Sequence, residues 1–385
     1  MNDVLSSVSS LSVRISATEQ DDEQTFRPRL FDASLAEDRA ALADLRASGA
    51  VRAVHDRIDA QTEELVRCLN PAEPPAGHAL ADAVDAVRGG RAGAHYGTWA
   101  WYPWSGRLVH VLPRREFRLV RTDRNRDKIT REQQTSLLGR RIGVIGLSVG
   151  NSAALTCAME GLAGSFRLAD FDRLGLSNLN RLRCGVHELG VPKTVLCARQ
   201  LSELDPYLDV EVFSEGITPG TIDAFFAGAG LDLLVEECDT LWVKLAAREH
   251  ARARGVPVLM DMNDRGMLDV ERFDLEPGRP VCHGRAGALS ADDVAALPPA
   301  DQLALLLRIV DQERLTPAMT DALGRIGRTL SSWPQLASGT VLGGALVADT
   351  ARRILLGEPV PSGRYYADLE ALVPAAAAQP AGAVR

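Results

Sequence analysis

The sequence lacks two features that would place it in other protein classes, paired cysteines and a long apolar run. Its six cysteines form no C-x-x-C pair and are scattered at positions 68, 157, 184, 197, 238 and 282. That scatter is typical of reduced thiols rather than disulfides, and it predicts a cytoplasmic protein. No apolar run approaches the ~20 residues of a membrane-spanning helix. The opening residues, MNDVLSSVSS, lack the pattern of a signal peptide, so we expect no membrane as a partner.

The sequence also has no excess of positive charge. Its 43 lysines and arginines are outnumbered by 51 aspartates and glutamates, which gives a net charge of −8 at pH 7 and a pI of about 5.5. This balance argues against nucleic acid or an anionic membrane as the main partner. Hydrophobic residues make up 46% and charged residues 24% of the 385 positions, which indicates a globular protein long enough for two domains.

Residues 141–193 carry the most informative pattern. A short apolar run at 142–145 predicts a buried strand, and an apolar, alanine-rich helix is expected from about 152 to 162. A second strand at 165–169 is followed by Asp170 and Asp172. Such a βαβ unit binds nucleotides, because backbone N–H groups at the helix start meet phosphate oxygens and an acid after the second strand meets the ribose.

The turn between this strand and helix supports nucleotide binding only weakly on its own. The strict fingerprint requires glycine at three positions, which are occupied here by Gly146, Ser148 and Asn151, while Gly150 comes one position early. Ser148 still permits close approach of a phosphate. We assign Gly146, Ser148 and Gly150 to phosphate binding and Asp170 to the ribose; the alternative is an ordinary strand–helix turn.

Residues farther along the chain strengthen the nucleotide interpretation. The segments SNLNR and GVPK place Asn178, Arg181 and Lys193 near the same crevice, at the carboxyl ends of the strands. Arg181 and Lys193 would neutralise a triphosphate, and Asn178 would bind a ribose hydroxyl or a water on Mg²⁺. An NAD-dependent oxidoreductase, the first alternative, rarely needs this cationic pair, because the helix start holds most of the dinucleotide pyrophosphate.

Taken in order, DFD at 170–172, SNLNR at 177–181 and GVPK at 190–193 resemble the ubiquitin-activating enzyme superfamily. Its bacterial members include the ThiF and MoeB adenylyltransferases of thiamine and molybdopterin biosynthesis. The resemblance spans about residues 124–372 and implies an α/β fold, a Rossmann-like nucleotide-binding domain with a mainly parallel central sheet. It also implies ATP and Mg²⁺ as cofactors and a homodimer. Because C-x-x-C pairs are absent, the four-cysteine zinc site of many relatives is not expected.

The resemblance assigns roles to further residues. Asp239, after the expected fourth strand, corresponds to the aspartate that holds Mg²⁺ and senses the substrate carboxylate. An arginine before the first helix of the domain would reach the phosphates of the partner subunit, and Arg124 and Arg126 are the alternatives. Glu236 and Glu237 depart from the small or polar neighbours usual there. We expect one of them at the core edge and the other in solvent, with a second metal ligand as the alternative.

These roles predict an ATP-dependent adenylyltransferase with Arg181, Lys193 and Asp239 as catalytic residues. The carboxylate of a peptide, a carrier protein or a small acid would attack the α-phosphorus of ATP, giving an acyl-adenylate and pyrophosphate. Some superfamily members then pass the acyl group to a cysteine. Cys184 and Cys282 are candidates for that role, with buried, inert thiols as the alternative. A catalytically silent partner subunit is the remaining alternative function.

The chain is expected to fall into four parts. Flexible tails are expected at 1–28 and 373–385, a small α+β domain at 29–120 and the adenylation domain at 121–372.

Within the small domain, apolar spacing predicts two helices within 34–70 that are separated at Gly49, and a further helix at 78–87. Two or three antiparallel strands are expected within 95–120. The aromatic residues clustered at 96–104 are interpreted as the core of this domain; the alternative is a contact surface for a substrate or a second subunit.

Later segments predict the rest of the sheet and its helices. Asp264 and Arg265 lie in a loop at the crevice, where they would either touch the substrate or form a surface turn. Strands are expected at 210–213, 231–235, 257–260, 268–273 and 364–366, and helices at 193–204, 219–226, 241–254, 300–310, 317–330 and 338–356.

Overall fold

The computed structural model of the chain describes residues 24–374. Most of the two predicted tails, at 1–28 and 373–385, therefore lies outside the described residues. Two β-sheets organise the described part, a four-stranded sheet near the start of the chain and a seven-stranded sheet in the remainder. None of the helices in this part is long and apolar enough to cross a membrane.

Strands and helices alternate along much of the chain. The strands are β1 (Arg29–Asp32), β2 (Ala53–Asp56), β3 (Thr98–Tyr102), β4 (Arg107–Val111), β5 (Arg141–Ile145), β6 (Ser165–Ala169), β7 (Asp209–Phe213), β8 (Leu233–Glu236), β9 (Val258–Met262), β10 (Met267–Glu271) and β11 (Gly363–Tyr366). The helices are α1 (Ala36–Ala47), α2 (Ile58–Leu69), α3 (His78–Arg88), α4 (Arg114–Arg121), α5 (Arg131–Leu137), α6 (Gly150–Glu160), α7 (Lys193–Leu204), α8 (Ile222–Phe226), α9 (Leu241–Ala253), α10 (Ala291–Ala295), α11 (Pro299–Ile309), α12 (Pro317–Leu323), α13 (Ala337–Leu355) and α14 (Leu369–Leu372).

The seven-stranded sheet has the order β11-β10-β9-β8-β5-β6-β7. Its strands from β7 to β9 pair in parallel, and β10 and β11 add antiparallel pairs at one edge. From β5 the chain builds outward to β6 and β7, then returns to place β8 on the other side of β5. This reversal creates a crevice at the carboxyl ends of β5 and β8, where open α/β sheets bind ligands. The mainly parallel sheet predicted from the sequence is confirmed.

The larger sheet is covered on both faces because its central strands are almost wholly apolar. Ile142 and Val144 of β5 face a core that includes residues of α6, α7 and α13, whereas Ile145 faces a core that includes residues of α8 and α9. Small residues let the helices come close: a Cβ atom on Gly344 of α13 would collide with Ser152 Oγ of α6. The long helix predicted at 338–356 is thus confirmed and packs in the core.

The four-stranded sheet has the order β1-β3-β4-β2 and corrects the predictions for the start of the chain. The sequence pattern does not predict β1 at all. It predicts a second helix that already includes Val54, but the structure forms β2 there, because parallel pairing with β4 outweighs the local helical spacing. It predicts a strand at 117–120, yet these residues lie in α4. Phe117 and Val120 both pack against the apolar cluster that contains Leu65, which a helix allows at this spacing.

The aromatic residues predicted as the core of this region are confirmed as core. Trp99 and Trp101 are buried in one apolar cluster, and Tyr96 is buried in another. The hydroxyl group of Tyr102 donates a hydrogen bond to Ser202 O of α7 at 3.2 Å. The aromatic cluster therefore also fixes the small sheet against a helix that leads away from the crevice.

One predicted helix late in the chain is shorter than expected. The pattern predicts a helix over 317–330, but α12 ends at Leu323 and residues 324–336 contain no helix or strand. Gly324 follows α12 directly, and Gly327 has a φ angle of +76°, a left-handed conformation that does not continue a helix. The helix predicted at 300–310 is confirmed as α11.

Candidate active site

The glycine turn after β5 forms one wall of the crevice. Gly146 has a φ angle of +84°, and a Cβ atom there would lie 2.7 Å from the backbone C and O atoms of Glu237. A Cβ atom on Gly150, the first residue of α6, would lie 2.8 Å from Val144 Cγ1. Glycine is therefore required at both positions, although the turn departs from the strict fingerprint. Helix α6 begins at this turn, and the N–H groups at a helix start suit an anion such as a phosphate.

Asp170, the predicted ribose acid, braces this turn from the end of β6. Its Oδ2 atom accepts a hydrogen bond from Leu147 N at 2.6 Å, and its Oδ1 atom accepts one from Asp172 N at 2.8 Å. Burial raises the pKa of the Asp170 carboxyl group, and the neighbouring Lys193 ammonium group opposes that shift. The structure therefore places the carboxyl group of Asp170 directly beside the glycine turn.

The two predicted cations reach the same crevice from different loops. The guanidinium group of Arg181 donates from Nε to Ser148 Oγ at 3.1 Å and from Nη1 to Asn180 Oδ1 at 2.8 Å. Lys193 is the first residue of α7, and its Nζ atom lies 2.7 Å from Asp172 Oδ2. Both cations are thus held by groups of the chain itself, one by a hydroxyl group of the glycine turn and the other by a carboxylate.

Asp239 lies in the loop between β8 and α9, opposite these cations. It is an exposed residue, yet nearby protein atoms partly remove its carboxyl group from water, which raises its pKa. The charges of Lys244, Arg181 and Lys193 oppose that rise. Burial lowers the pKa of Arg181, and the charge of Asp239 opposes that decrease. The structure therefore brings Asp239 within electrostatic reach of both predicted phosphate ligands.

Asn178 shapes the loop that carries Arg181. Its Oδ1 atom accepts a hydrogen bond from Gly175 N at 2.9 Å. Its side-chain nitrogen makes no hydrogen bond within residues 24–374, so this group has a donor left for a ligand. Binding of a ribose hydroxyl or a metal-bound water by Asn178 stays a prediction.

Arg124 and Arg126 lie away from the crevice of their own chain. The intervening Asn125 donates a hydrogen bond to Glu160 O, at the far end of α6, and that helix is about 16 Å long. The guanidinium group of Arg126 makes an ion pair of 3.3 Å with Asp123. Neither arginine therefore contributes to the site of its own chain, and a role in a partner's site stays a prediction.

The structure corrects the expectation for the two glutamates that follow β8. Glu236 is fully buried: its Oε2 atom accepts hydrogen bonds from Lys244 and Arg248, and its Oε1 atom accepts one from Cys238 N at 2.8 Å. Glu237 is half-buried and accepts a hydrogen bond from Asp261 N at 2.8 Å. Neither side chain is simply solvated, because α9 supplies two cations to Glu236 that no local pattern reveals.

The loop with Asp264 and Arg265 is occupied by contacts within the chain. Asp264 accepts hydrogen bonds from the backbone N and the hydroxyl group of Thr316, and Arg265 makes an ion pair of 2.8 Å with Asp368. These contacts favour the surface-turn interpretation over substrate contact. The loop thereby ties the end of β9 to α12 and to the last described helix.

One crevice residue that the sequence analysis did not single out is Phe171, between the two aspartates of the DFD motif. Its side chain is 64% exposed, although a large apolar ring usually avoids water. A Cβ atom on Gly216, after β7, would lie 3.1 Å from its Cδ1 atom, so one edge of the ring is supported. The exposed aromatic ring offers a stacking surface next to Asp170. Its place inside a recognised motif was the available signal.

The surroundings of the thiol groups disfavour the thiolate form. Burial is the largest cause of a raised pKa for each of the six cysteines. It raises the pKa of Cys184 to about 11 and that of Cys282 to about 12. Because the thiolate is the reactive form, both candidates favour the inert alternative.

Comparison with known protein families identifies the part of the chain that holds this crevice. The model of the ThiF family matches residues 122–293. This region resembles the ThiF family. It contains the glycine turn and every predicted ligand of the crevice, and the α/β fold implied by the resemblance is confirmed.

Individual relatives cover the chain unevenly. The uncharacterized protein MT1398 of Mycobacterium tuberculosis is 47% identical over 273 residues, which are 71% of this chain and 38% of that protein. The tRNA threonylcarbamoyladenosine dehydratase of Bacillus subtilis is 28% identical over 154 residues, which are 40% of this chain and 60% of that enzyme. The chain thus spans less than two thirds of the length of these curated relatives.

Solved structures align with the chain at low sequence identity and low TM-score. The tRNA N6-threonylcarbamoyladenosine dehydratase TcdA of E. coli aligns with a TM-score of 0.44 and 16% identity, covering 61% of this chain and 94% of that chain. The E. coli protein MccB, in its complex with MccA-N7isoASN, aligns with a TM-score of 0.42 and 19% identity, covering 60% and 62%.

Proposed function

We propose that this chain is an ATP-dependent adenylyltransferase that activates a carboxylate as an acyl-adenylate and releases pyrophosphate. The observation that supports this most directly is the meeting of five residues at one crevice of the ThiF family domain. They are Gly146, Asp170, Arg181, Lys193 and Asp239, and they come from separate segments of the chain. The activated acid belongs to a peptide, a carrier protein or a small molecule.

The proposed reaction needs positioned charges rather than a protein nucleophile. A carboxylate oxygen of the acid attacks the α-phosphorus of ATP while the bond from that phosphorus to the leaving oxygen breaks, and pyrophosphate departs. Arg181 and Lys193 offset the charge on the phosphate oxygens, and the start of α6 binds the phosphate chain. Asp170 orients the ribose and thereby the α-phosphate. Loss of one such charged donor lowers the rate of comparable reactions by about 100- to 1,000-fold.

Asp239 would hold Mg²⁺ together with phosphate oxygens. Residues 24–374 contain no group of three or more His, Cys, Asp or Glu side chains suited to a metal. A single carboxylate still fits this ion, because Mg²⁺ at nucleotide sites takes most of its ligands from phosphates and water. When bound, the ion neutralises negative charge on the triphosphate. Glu236 is committed to Lys244 and Arg248, so it does not serve as a second ligand.

We also propose that the enzyme is a homodimer in which Arg126 or Arg124 serves the partner's crevice. Both arginines lie far from the crevice of their own chain. Arg124 makes no ion pair or hydrogen bond within the described residues, and the Arg126 side chain is 41% exposed. Both guanidinium groups are therefore available to a second subunit. Residues 29–120, which precede the ThiF family match, would then act as a separate domain that selects the acid or its carrier.

The acyl-adenylate would react with a nucleophile from outside the protein. The pKa of every cysteine is raised by burial, and the two candidates discussed above are half-buried (Cys184) or fully buried (Cys282). At neutral pH these groups hold too little thiolate to accept the acyl group. An amine, a sulfide or a carrier thus completes the reaction.

The two alternative functions are less well supported. An NAD-dependent oxidoreductase leaves Arg181, Lys193 and Asp239 without a task, and the ThiF family match does not favour it. A catalytically silent subunit would not need all of these groups in one crevice.

The experiment that tests the proposal is ATP–pyrophosphate exchange with Mg²⁺ and a panel of peptide and small carboxylates. Exchange should depend on a particular acid and should disappear in Asp239→Ala, whose thermal unfolding checks that it is folded. Exchange that persists in Asp239→Ala would contradict the role of that residue. Absence of exchange with every acid, together with absence of ATP binding by calorimetry, would contradict the proposed function.

A further inference from the structure

Lysine is rare in this chain, and two of its three lysines are buried. Forty of the 43 basic residues are arginines, and the lysines are Lys128, Lys193 and Lys244. Lys193 and Lys244 are 6% and 4% exposed, whereas Lys128 lies at the surface. A buried ammonium group stays charged only beside a carboxylate or another strong acceptor. The acid that each buried lysine contacts therefore indicates what the lysine does.

Lys193 finds its partner on the loop after β6. Its Nζ atom lies 2.7 Å from Asp172 Oδ2, and its backbone N donates to Asp172 O at 3.0 Å. Asp172 N in turn donates to Asp170 Oδ1 at 2.8 Å. Asp172 thus fixes the predicted phosphate lysine through its side chain and backbone carbonyl, and the predicted ribose acid through its backbone N–H.

Two other carboxyl groups face Lys193 at longer range. They are Asp170, at the end of β6, and Asp239, after β8. Within the described part of the chain, Asp172 is the only acid that makes an ion pair with Nζ. Asp170 and Asp239 already have tasks in the proposed reaction, toward the ribose and Mg²⁺. Asp172 has none, and its side chain is 52% exposed, so a phosphate arriving from solvent can replace it.

We propose that Asp172 is a positioning residue, whose carboxylate holds the Lys193 ammonium group directed into the crevice until a triphosphate takes its place. This inference rests on the proposed function, because it assumes a phosphate ligand. An ion pair with a half-exposed partner contributes about 1 kcal/mol or less, so its exchange for a phosphate costs little. A buried partner would hold the lysine too firmly to allow that exchange.

The role makes a specific demand on the amine. Without the Asp172 carboxylate, Lys193 loses its ion-pair partner and keeps only more distant acids, so its ammonium group is no longer held in place. ATP binding should then weaken, because the phosphate ligand is no longer preorganised. Asp172→Glu retains a carboxylate and should behave like wild type.

The first test needs no nucleotide. The protein is labelled briefly with acetic anhydride at pH 8, and acetylation of Lys193 is measured relative to Lys128 by mass spectrometry. Asp172→Asn should raise this ratio about fivefold, because loss of an ion pair worth about 1 kcal/mol frees the amine for the reagent. The ratio in Asp172→Glu should stay at the wild-type level, and Lys244 should stay unlabelled in all three proteins, which excludes general opening. An unchanged ratio in Asp172→Asn would overturn the role of Asp172.

The second test is calorimetric titration with ATP and Mg²⁺ at pH 7.5. The affinity of Asp172→Glu should stay within about threefold of wild type, and that of Asp172→Asn should fall by about tenfold, because the ammonium group is no longer preorganised for the phosphates. Equal or higher affinity of Asp172→Asn would overturn the inference. Absence of ATP binding by wild type would instead overturn the proposed nucleotide site, and the labelling ratio would still report on the Asp172–Lys193 contact.

Discussion

The two buried lysines of this chain are held in different ways. Lys244 pairs with Glu236 at 2.9 Å, and Glu236 is itself fully buried and shared with Arg248, which also bonds to Glu271 at 2.6 Å. Lys193 pairs with a carboxylate that is half exposed. The network of Lys244, Glu236 and Arg248 is closed, because an exchange of partners would leave an unpaired charge buried. In the crevice, by contrast, Lys193 can exchange Asp172 for a phosphate. The exposure of the carboxylate partner therefore distinguishes cations that stabilise the fold from cations that are available to a ligand.

The closed network also supports the crevice. Burial would raise the pKa of Glu236, but the charges of Lys244 and Arg248 outweigh burial and lower it. The ionised carboxylate accepts a hydrogen bond from Cys238 N, in the loop that carries Asp239. A structural ion network thus positions a residue assigned to Mg²⁺.

The largest effect that tests this comparison is expected from Glu236→Ala. The change leaves Lys244 and Arg248 buried without their shared carboxylate, and loss of one partner of a buried pair costs about 3–5 kcal/mol. The loss of stability is measured as the decrease in the free energy of unfolding in urea. Asp172→Asn, the matched change in the crevice, should cost about 1 kcal/mol or less. Equal losses in the two variants would contradict the distinction between closed and exchangeable pairs.

A second test uses buried carboxyl groups that have no cation in contact. Within residues 24–374, no donor reaches either carboxylate oxygen of Asp261, which lies beside Glu237. Burial raises the pKa of Asp261 to about 7, and burial together with Asp261 raises that of Glu237 well above its ordinary range. These acids thus favour their protonated forms, in contrast to Glu236.

The sign of the resulting pH dependence follows from linkage. In unfolded chains an aspartate releases its proton near pH 4, whereas folded Asp261 retains it up to about pH 7. Its contribution to stability is therefore complete below about pH 4 and is lost as the pH rises to about 7, by about 1.4 kcal/mol per pH unit and proton. Urea unfolding between pH 4.5 and pH 7.5 should show this decline in wild type and a flatter profile in Asp261→Asn. Identical pH profiles of stability in wild type and Asp261→Asn would contradict a raised pKa of Asp261.

A third test is Lys193→Ala, which should lower the ATP–pyrophosphate exchange rate by about 100-fold through loss of a charged phosphate ligand. Its free energy of unfolding should change by less than that of Glu236→Ala, because the remaining carboxylate of Asp172 is half exposed. A Lys193→Ala protein with near wild-type exchange would remove this lysine from the reaction. A Lys193→Ala protein that is as unstable as Glu236→Ala would show that Lys193 mainly stabilises the fold.

A smaller loss of stability than that of Glu236→Ala is expected at the glycine turn. Gly146→Ala should cost about 2 kcal/mol, because a left-handed conformation is unfavourable for alanine and the new methyl group meets the Glu237 backbone. Gly357→Ala is the matched control, since Gly357 has a φ angle of +80° but no atom within 4 Å of an added Cβ. It should cost about 1 kcal/mol and leave ATP affinity unchanged. Equal losses of stability and of ATP affinity in both variants would show that the close contact at Gly146 does not matter.

The sequence predicts the main groups of the crevice because each lies at a place that chain order defines. Asp170 follows a strand, Asp239 follows another, and Lys193 begins a helix, so parallel strand order brings them together. Their partners are harder to predict. The contact between Glu237 and Asp261 depends on the pairing of β8 with β9, and apolar periodicity does not specify which residues become neighbours.

The same limit explains the errors near the start of the chain. The spacing of Val54 suits a helix, and only parallel pairing with β4 makes its segment a strand. Phe117 and Val120 fit either an alternating strand or one face of a helix, and packing beside Leu65 decides for the helix. Local pattern therefore identifies the ThiF family crevice better than it identifies the small sheet.

The products formed from ATP distinguish adenylation of an acid from its phosphorylation. An acid that supports exchange is incubated with the protein, ATP, Mg²⁺ and hydroxylamine as the acceptor, and phosphorus NMR follows the reaction. Attack on the α-phosphorus predicts AMP and pyrophosphate in equal amounts, together with the hydroxamate of the acid. Formation of ADP and phosphate instead would show attack at the γ-phosphorus and would contradict adenylation.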